Sequence, residues 1–182
     1  KKWLHGLLTD VATECAGIDI HKEAIQYLQD EIGVKNVYHA DITNGLPEKL
    51  RNTNWDIVVM GEILEHVDNP VLFLQQIKHQ LSSHAKQLLI TVPNSFNHLM
   101  IKDIQIKVED INSDHRYNFT PYTLSKVLYS SGFEKVEFEF TDRIALPLHL
   151  KILNRLCRIA GIHNRFSIPY FATMVALTNF NR

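Results

Sequence analysis

The chain has 182 residues, 45% of them apolar and 21% charged, so a disordered protein is excluded and a single domain with a sizeable core is expected. The formal net charge of −1 does not fit a general nucleic-acid binder, and two cysteines are too few for a disulfide framework. No apolar run reaches the roughly 18 residues that a membrane span needs, and the first residues lack a signal-peptide pattern, so we expect a cytoplasmic protein.

The first third of the chain alternates short apolar runs with helical periodicity. The apolar runs predict buried strands over 15–20, 36–40 and 55–60. Apolar residues at helical spacing predict an amphipathic helix over 22–32, with Gly33 as its C-cap. The polar stretch between the second and third strands contains turn residues, so we predict no regular element there.

The rest of the chain continues the alternation. The predicted elements are a helix over 70–81, a strand over 87–92, a short helix over 101–106, a helix over 121–131, a half-exposed antiparallel strand over 135–141, a helix over 146–160 and a strand over 171–178. Strands that alternate with helices indicate an α/β, Rossmann-like, doubly wound and mostly parallel sheet, and the late strands predict an antiparallel C-terminal edge.

Charge is unevenly distributed along this order. All 20 acidic residues lie at or before Asp142, whereas residues 143–182 hold six of the 19 lysines and arginines and no acid. The predicted helix 146–160 therefore has a basic face, within a basic helical insertion over 143–165. It could contact a partner or an anionic membrane surface, or receive an acidic substrate, or be a packing helix with a solvated basic face.

Four stretches in order resemble class I S-adenosylmethionine-dependent methyltransferases. They are Gly17-Ile18-Asp19-Ile20, Ala40-Asp41-Ile42, Gly61 to Pro70 with its E-x-L-E-H-V pattern, and Thr91-Val92-Pro93-Asn94. The segment from Asp114 to Pro121 also resembles the H-x-x-x-F-T stretch of these enzymes. The resemblance implies an enzyme that transfers a methyl group from S-adenosylmethionine.

The resemblance departs from the family at its start. The family's first strand and glycine-rich loop would precede residue 1, and the whole chain has only seven glycines. The segment from Trp3 to Leu8 is similar to the helix that follows that loop. We therefore treat residues 1–182 as one methyltransferase-like domain and expect the natural protein to extend upstream of residue 1.

The resemblance also implies which residues hold the cofactor: Asp19, Ile20, Asp41, Ile42, Gly61 and Glu62. Asp19 would accept hydrogen bonds from the ribose hydroxyls, and Ile20 would pack on the adenine. Asp41 would accept from the adenine amino group, with Ile42 beside the ring, and Gly61 would let the backbone approach the methionine part of the cofactor. The alternatives are a helix cap for Asp19 and a plain turn residue for Asp41.

Three alternatives remain for Glu62, Glu65 and His66, whose spacing puts them on one helical face. They could be structural, or His66 or His115 could be the general base for an acceptor hydroxyl. In the third alternative, Glu62, Glu65, His66 and His115 would bind a divalent metal, as in the metal-dependent 2′-O-methyltransferases of RNA ends that this pattern resembles.

The acceptor is expected on the segment 95–118, with Asn94 and Tyr117 as substrate contacts. The nearly neutral net charge favours a small-molecule or sugar-type acceptor. We expect O-methylation, for which His66 or His115 would be the base, although nitrogen and carbon acceptors use the same fold. A metal-dependent 2′-O-methyltransferase of RNA ends is one alternative. A non-catalytic methyltransferase-like partner subunit is the other.

Overall fold

The protein is represented by a computed structural model, which describes residues 3–108, 112–143, 152, 155–156 and 171–181. The strands are β1 (Gly17–Asp19), β2 (Val37–His39), β3 (Trp55–Gly61), β4 (Ala85–Pro93), β5 (Glu137–Arg143) and β6 (Phe171–Asn179). The helices are α1 (Leu4–Thr9), α2 (Lys22–Asp30), α3 (Pro70–Leu81), α4 (His98–Gln105) and α5 (Pro121–Ser130), and three 3₁₀ turns cover Ile42–Asn44, Glu48–Leu50 and Leu64–His66.

The strands form two sheets. The larger has the order β3-β4-β6-β5, in which β3 and β4 are parallel while β6 runs antiparallel to β4 and β5. The smaller is the parallel pair β1-β2. In the part of the chain that the structure describes, no strand joins the two sheets. The predicted α/β fold, with parallel strands and an antiparallel C-terminal edge, is confirmed.

The core lies between the larger sheet and the helices α3 and α5. Along β4, Leu88, Ile90 and Val92 are fully buried at every second position, as expected when alternate side chains of a strand point to the same face. Leu74 of α3 and Leu124 of α5 are also fully buried. This packing holds the carboxyl ends of β3 and β4 in place.

Local capping explains where these helices begin. Asn69 accepts a hydrogen bond from the Leu72 amide, with Pro70 at the first position of α3. Thr120 and Thr123 form a capping box at the start of α5. The two helices begin where they were predicted to begin, because the residues that cap each helix are close together in the sequence.

The structure differs from the predicted elements at several boundaries. Helix α2 ends at Asp30, two residues before the predicted end, and Gly33 follows with a positive φ of 79°. Helix α4 begins at His98 rather than 101, because the side-chain oxygen of Asn97 accepts from the amides of Leu99 and Met100. The polar stretch after β2 forms two 3₁₀ turns.

Two predictions concern residues that are barely described. The predicted helix 146–160 and the insertion 143–165 lie outside the described residues, apart from the backbone of Arg143 and residues 152, 155 and 156. Among the residues that the structure describes, no helix combines the length and the apolar character needed to cross a bilayer.

Candidate active site

The predicted site residues follow the carboxyl ends of parallel strands. Asp19 ends β1 and pairs in register with His39 of β2, while Gly61 ends β3 and pairs with Thr91 of β4. In open α/β sheets, ligands bind at this edge. Asp19 and Gly61 therefore lie at the carboxyl ends of parallel strands, one in each sheet, and their contacts with a cofactor stay predictions.

The two predicted cofactor carboxylates are exposed and make local hydrogen bonds. Asp19 Oδ1 accepts from the His21 amide at 2.7 Å, whereas the cap of α2 is His21 itself, so the capping alternative for Asp19 is wrong. Asp41 Oδ1 accepts from the amide and hydroxyl of Thr43 at 2.9 and 2.7 Å. The turn role of Asp41 is thus present, and its contact with adenine stays a prediction.

The apolar partners of these carboxylates differ in exposure. The Ile20 side chain is 72% exposed, which leaves its surface open to an aromatic ring. Ile42 is only partly buried and packs against the core. Both positions suit the predicted contacts with adenine, which stay predictions.

Gly61 and Glu62 form a tight exit from β3. A Cβ atom at Gly61 would lie 2.5 Å from Leu4 Cδ2, so the glycine allows α1 to approach the strand closely. Glu62 has a φ of 53°, a conformation that non-glycine residues rarely adopt, and its amide donates to the Thr91 carbonyl oxygen at 3.0 Å. This strained turn begins the segment that carries Glu65 and His66.

The Glu62 carboxyl group is electrostatically coupled to that segment. Desolvation raises the pKa of Glu62, and the charges of Glu65 and Asp142 raise it further. A hydrogen bond from Thr91 and the charge of His115 act in the opposite direction. Asp142 was not among the predicted site residues, because nothing in its local sequence indicates that its charge acts on Glu62.

Glu65, His66 and His115 form a compact group, which we call the Glu-His cluster. Glu65 Oε1 lies 3.9 Å from His66 Nε2 and 4.0 Å from His115 Nε2. The two imidazole rings meet edge to face, with centroids 4.7 Å apart. The structure thus brings together three residues that the sequence separates by up to 50 positions.

Glu65 is the most unusual member of the Glu-His cluster. Its side chain is fully buried, and neither carboxylate oxygen has a hydrogen-bond partner in the described part of the chain. Desolvation raises its pKa, although the backbone amide of Glu65, the charge of His66 and the side chain of Glu62 lower it in part. An ionised carboxylate that is buried without partners is costly, so Glu65 favours a proton or a cation beside it.

A neighbouring carbonyl group determines which tautomer the neutral His66 ring adopts. His66 Nδ1 lies 3.1 Å from the carbonyl oxygen of Asp114, which can only accept a hydrogen bond. Nδ1 therefore carries the hydrogen, and in the neutral ring Nε2, 3.9 Å from Glu65 Oε1, has the free lone pair. That nitrogen can accept a proton or ligate a cation.

The two predicted substrate contacts, Asn94 and Tyr117, differ in their burial. Asn94 is fully buried, and its side-chain oxygen accepts from the Phe96 amide at 3.0 Å. Tyr117 is 39% exposed, and its hydroxyl donates to the Asp68 carbonyl oxygen at 2.7 Å. Both side chains support the local backbone, and their substrate contacts stay predictions.

The Glu-His cluster is suited to two kinds of chemistry. Three ligand atoms, one each from Glu65, His66 and His115, lie within 4.8 Å of one another, a spacing compatible with a bound cation. Alternatively, an imidazole accepts a proton from a bound hydroxyl while the buried carboxylate stabilises the imidazolium.

Comparisons with known proteins identify the family of this chain. A family model described as "Methyltransferase domain" matches residues 2–138. No curated protein matches the sequence closely enough to count as a relative.

Solved structures share the fold at low sequence identity. A SAM-dependent methyltransferase from Archaeoglobus fulgidus is 20% identical over 95% of this chain and 79% of its own, with a TM-score of 0.59. The plantazolicin methyltransferase BpumL is 17% identical over 97% of this chain and 70% of its own, with a TM-score of 0.55. The small RNA methyltransferase HEN1 is 19% identical over 90% of this chain but only 20% of its own, with a TM-score of 0.53.

Proposed function

This chain belongs to the methyltransferase domain family, and we propose that it transfers the methyl group of S-adenosylmethionine to a hydroxyl oxygen of a small-molecule or sugar-type acceptor. The predicted family and enzyme class are confirmed by the match over residues 2–138. S-adenosylmethionine is the cofactor of this class of enzyme. The choice of a hydroxyl acceptor rests on one observation, the pair of imidazoles beside the buried Glu65.

In this proposal the cofactor lies along the carboxyl ends of β1, β2 and β3. Asp19 accepts from the ribose hydroxyls, and Asp41 accepts from the adenine amino group. The exposure of both carboxylates supports these roles, since neither is enclosed by the protein. The backbone of Gly61 and Glu62 faces the methionine part, while the sulfonium supplies an already activated methyl group.

The Glu-His cluster prepares the acceptor. With Nδ1 of His66 donating to Asp114, the Nε2 lone pair of His66 is free to take the proton of an acceptor hydroxyl. His115 is the second candidate base, with only 15% of its side chain exposed. The Glu65 carboxylate stabilises the imidazolium that forms. Positioning of the acceptor oxygen in line with the methyl group lowers the reaction barrier further.

A metal-dependent 2′-O-methyltransferase of RNA ends is the second candidate. The donor set fits a divalent cation, because the fully buried Glu65 carboxylate has no partner in the described residues and two imidazole nitrogens lie about 4 Å from it. Glu65, His66 and His115 would hold the ion, with Glu62 as a further ligand. A bound cation would lower the pKa of a ribose hydroxyl.

Radiolabelled methyl transfer distinguishes the candidates. The purified protein is incubated with labelled S-adenosylmethionine and either a panel of small hydroxyl compounds or short RNA duplexes, with EDTA or with Mn²⁺. We expect transfer to a small acceptor that EDTA does not abolish. H66Q or H115Q should reduce it by about a hundredfold or more, while H79Q, on the exposed face of α3, should not.

Each other outcome points elsewhere. Transfer only to RNA, lost in EDTA and restored by Mn²⁺, would favour the metal-dependent enzyme. Cofactor binding without transfer to any acceptor would favour the non-catalytic partner subunit. Full activity in both H66Q and H115Q would contradict the role given to the Glu-His cluster.

A further inference from the structure

The Arg116 side chain bonds to two points of the segment that follows β3. Its Nη1 donates to the carbonyl oxygen of His66 at 2.6 Å, and its Nε donates to Asp68 Oδ1, also at 2.6 Å. A planar guanidinium presents several donors in a fixed fork, so it can hold two acceptors in one relative position. Lysine presents a single charged nitrogen and cannot reproduce that geometry.

The backbone around Arg116 makes further bonds to the same segment. The amides of Arg116 and Tyr117 both donate to the carbonyl oxygen of Glu65, at 2.7 and 3.3 Å. These bonds flank the two histidines, because His115 precedes Arg116 in the chain and His66 follows Glu65. The same approach brings the Asp114 carbonyl to His66 Nδ1.

This contact is poorly suited to stabilising the fold as a whole. Arg116 is 51% exposed and Asp68 is 88% exposed, and ion pairs at such positions contribute little to stability. Lys86 and Asp56, the second residues of β4 and β3, form a matched pair, also at 2.6 Å and with side chains 75% and 88% exposed. That pair touches no member of the Glu-His cluster. Its removal therefore shows the effect of losing an exposed ion pair without displacing His66 or His115.

We propose that Arg116 is a positioning residue, which fastens the segment 112–117 to the turn Leu64–His66 and so keeps the rings of His66 and His115 facing Glu65. It acts through the two imidazoles. The inference rests on the proposed function for its catalytic meaning, but its geometric consequence exists without cofactor or acceptor. That consequence is the fixed tautomer of His66.

Two-bond ¹H–¹⁵N spectra of the labelled full chain at about pH 8 report this tautomer directly. The His66 signals are assigned by their loss in H66Q. In the wild type we expect the Nδ1-protonated form. R116A should shift both His66 nitrogens towards the averaged values of a freely exchanging ring, while the melting temperature falls by no more than about 3 °C. R116K should restore the wild-type signals only in part.

Controls separate position from stability and from the proposed function. K86A should leave the His66 signals unchanged, and D68N should shift them in the direction of R116A. Wild-type His66 signals in R116A would overturn the proposal; if R116A does not fold, wild-type signals in D68N would do so. S-adenosylhomocysteine binding is measured in parallel: its absence in the wild type would contradict the proposed function and leave the test of Arg116 intact.

Discussion

The backbone and the side chain of Glu65 lie in different environments. Its backbone carbonyl accepts from two amides of the segment 112–117, whereas its carboxylate lies buried with no hydrogen-bond partner in the described residues. Desolvation raises the pKa of the carboxyl group, so the folded protein binds a proton there more tightly than the unfolded chain does. Glu65 therefore favours either a proton on its own carboxyl group or a cation beside it.

The raised pKa of Glu65 predicts a pH-dependent stability. A folded-state pKa above the ordinary value of 4.5 means that stability is lost as the pH rises from about 4.5 through the folded pKa. E65Q removes this loss, so we expect E65Q to melt higher than the wild type at neutral pH, with a difference that narrows towards about pH 5. Thermal melts across this range, in EDTA, measure it.

Glu14 provides the matched control, because its side chain is exposed. E14Q should change the melting temperature little at any pH in the same series. A wild type that is more stable than E65Q at neutral pH, in the absence of metal, would contradict the account of Glu65. That result would mean that Glu65 is ionised and paired in the folded protein.

At the scale of elements, local signals predicted some boundaries well. Helix α3 runs from Pro70 to Leu81 as predicted, because its cap, its first-turn proline and its apolar positions all lie within the same stretch. The approach of His115 to Glu65 could not be predicted in this way, since it depends on how a loop 50 residues away folds back. The position of β6 between β4 and β5 is likewise a property of the whole sheet.

Helix α5 gives a direct test of the local signals. Thr120 accepts from the Thr123 amide at 3.2 Å, and Thr123 accepts from the Thr120 amide at 2.8 Å. T120A removes one half of this capping box and should lower the free energy of unfolding by about 1 kcal/mol, as measured by urea denaturation.

Ser125 on the same helix is the control. Its hydroxyl donates to the Pro121 carbonyl oxygen four residues earlier, an interaction that does not favour a helix over other conformations. S125A should therefore be neutral or slightly stabilising, since alanine is the better helix former. Equal losses in T120A and S125A would show that the capping box does not determine where α5 begins.

At the scale of the whole molecule, residues from distant parts of the chain lie at the carboxyl ends of the parallel strands of the two sheets. Asp19 ends β1, Asp41 follows β2 and Gly61 ends β3, so each lies at the carboxyl end of a parallel strand. The sequence predicted this arrangement because carboxyl ends of parallel strands share an edge. It could not predict the acceptor, since one fold serves many substrates and the acceptor side is built from loops.

The central claim is that the carboxyl ends of β1, β2 and β3 bind S-adenosylmethionine. Calorimetric titration with S-adenosylhomocysteine tests this claim most directly. We predict a dissociation constant on the order of micromolar for the wild type, weakened at least about tenfold in D19N. D56N changes an exposed aspartate near the opposite end of β3 and should bind like the wild type. A folded chain that binds no S-adenosylhomocysteine, or a D19N variant that binds it as tightly as D56N does, would contradict the account.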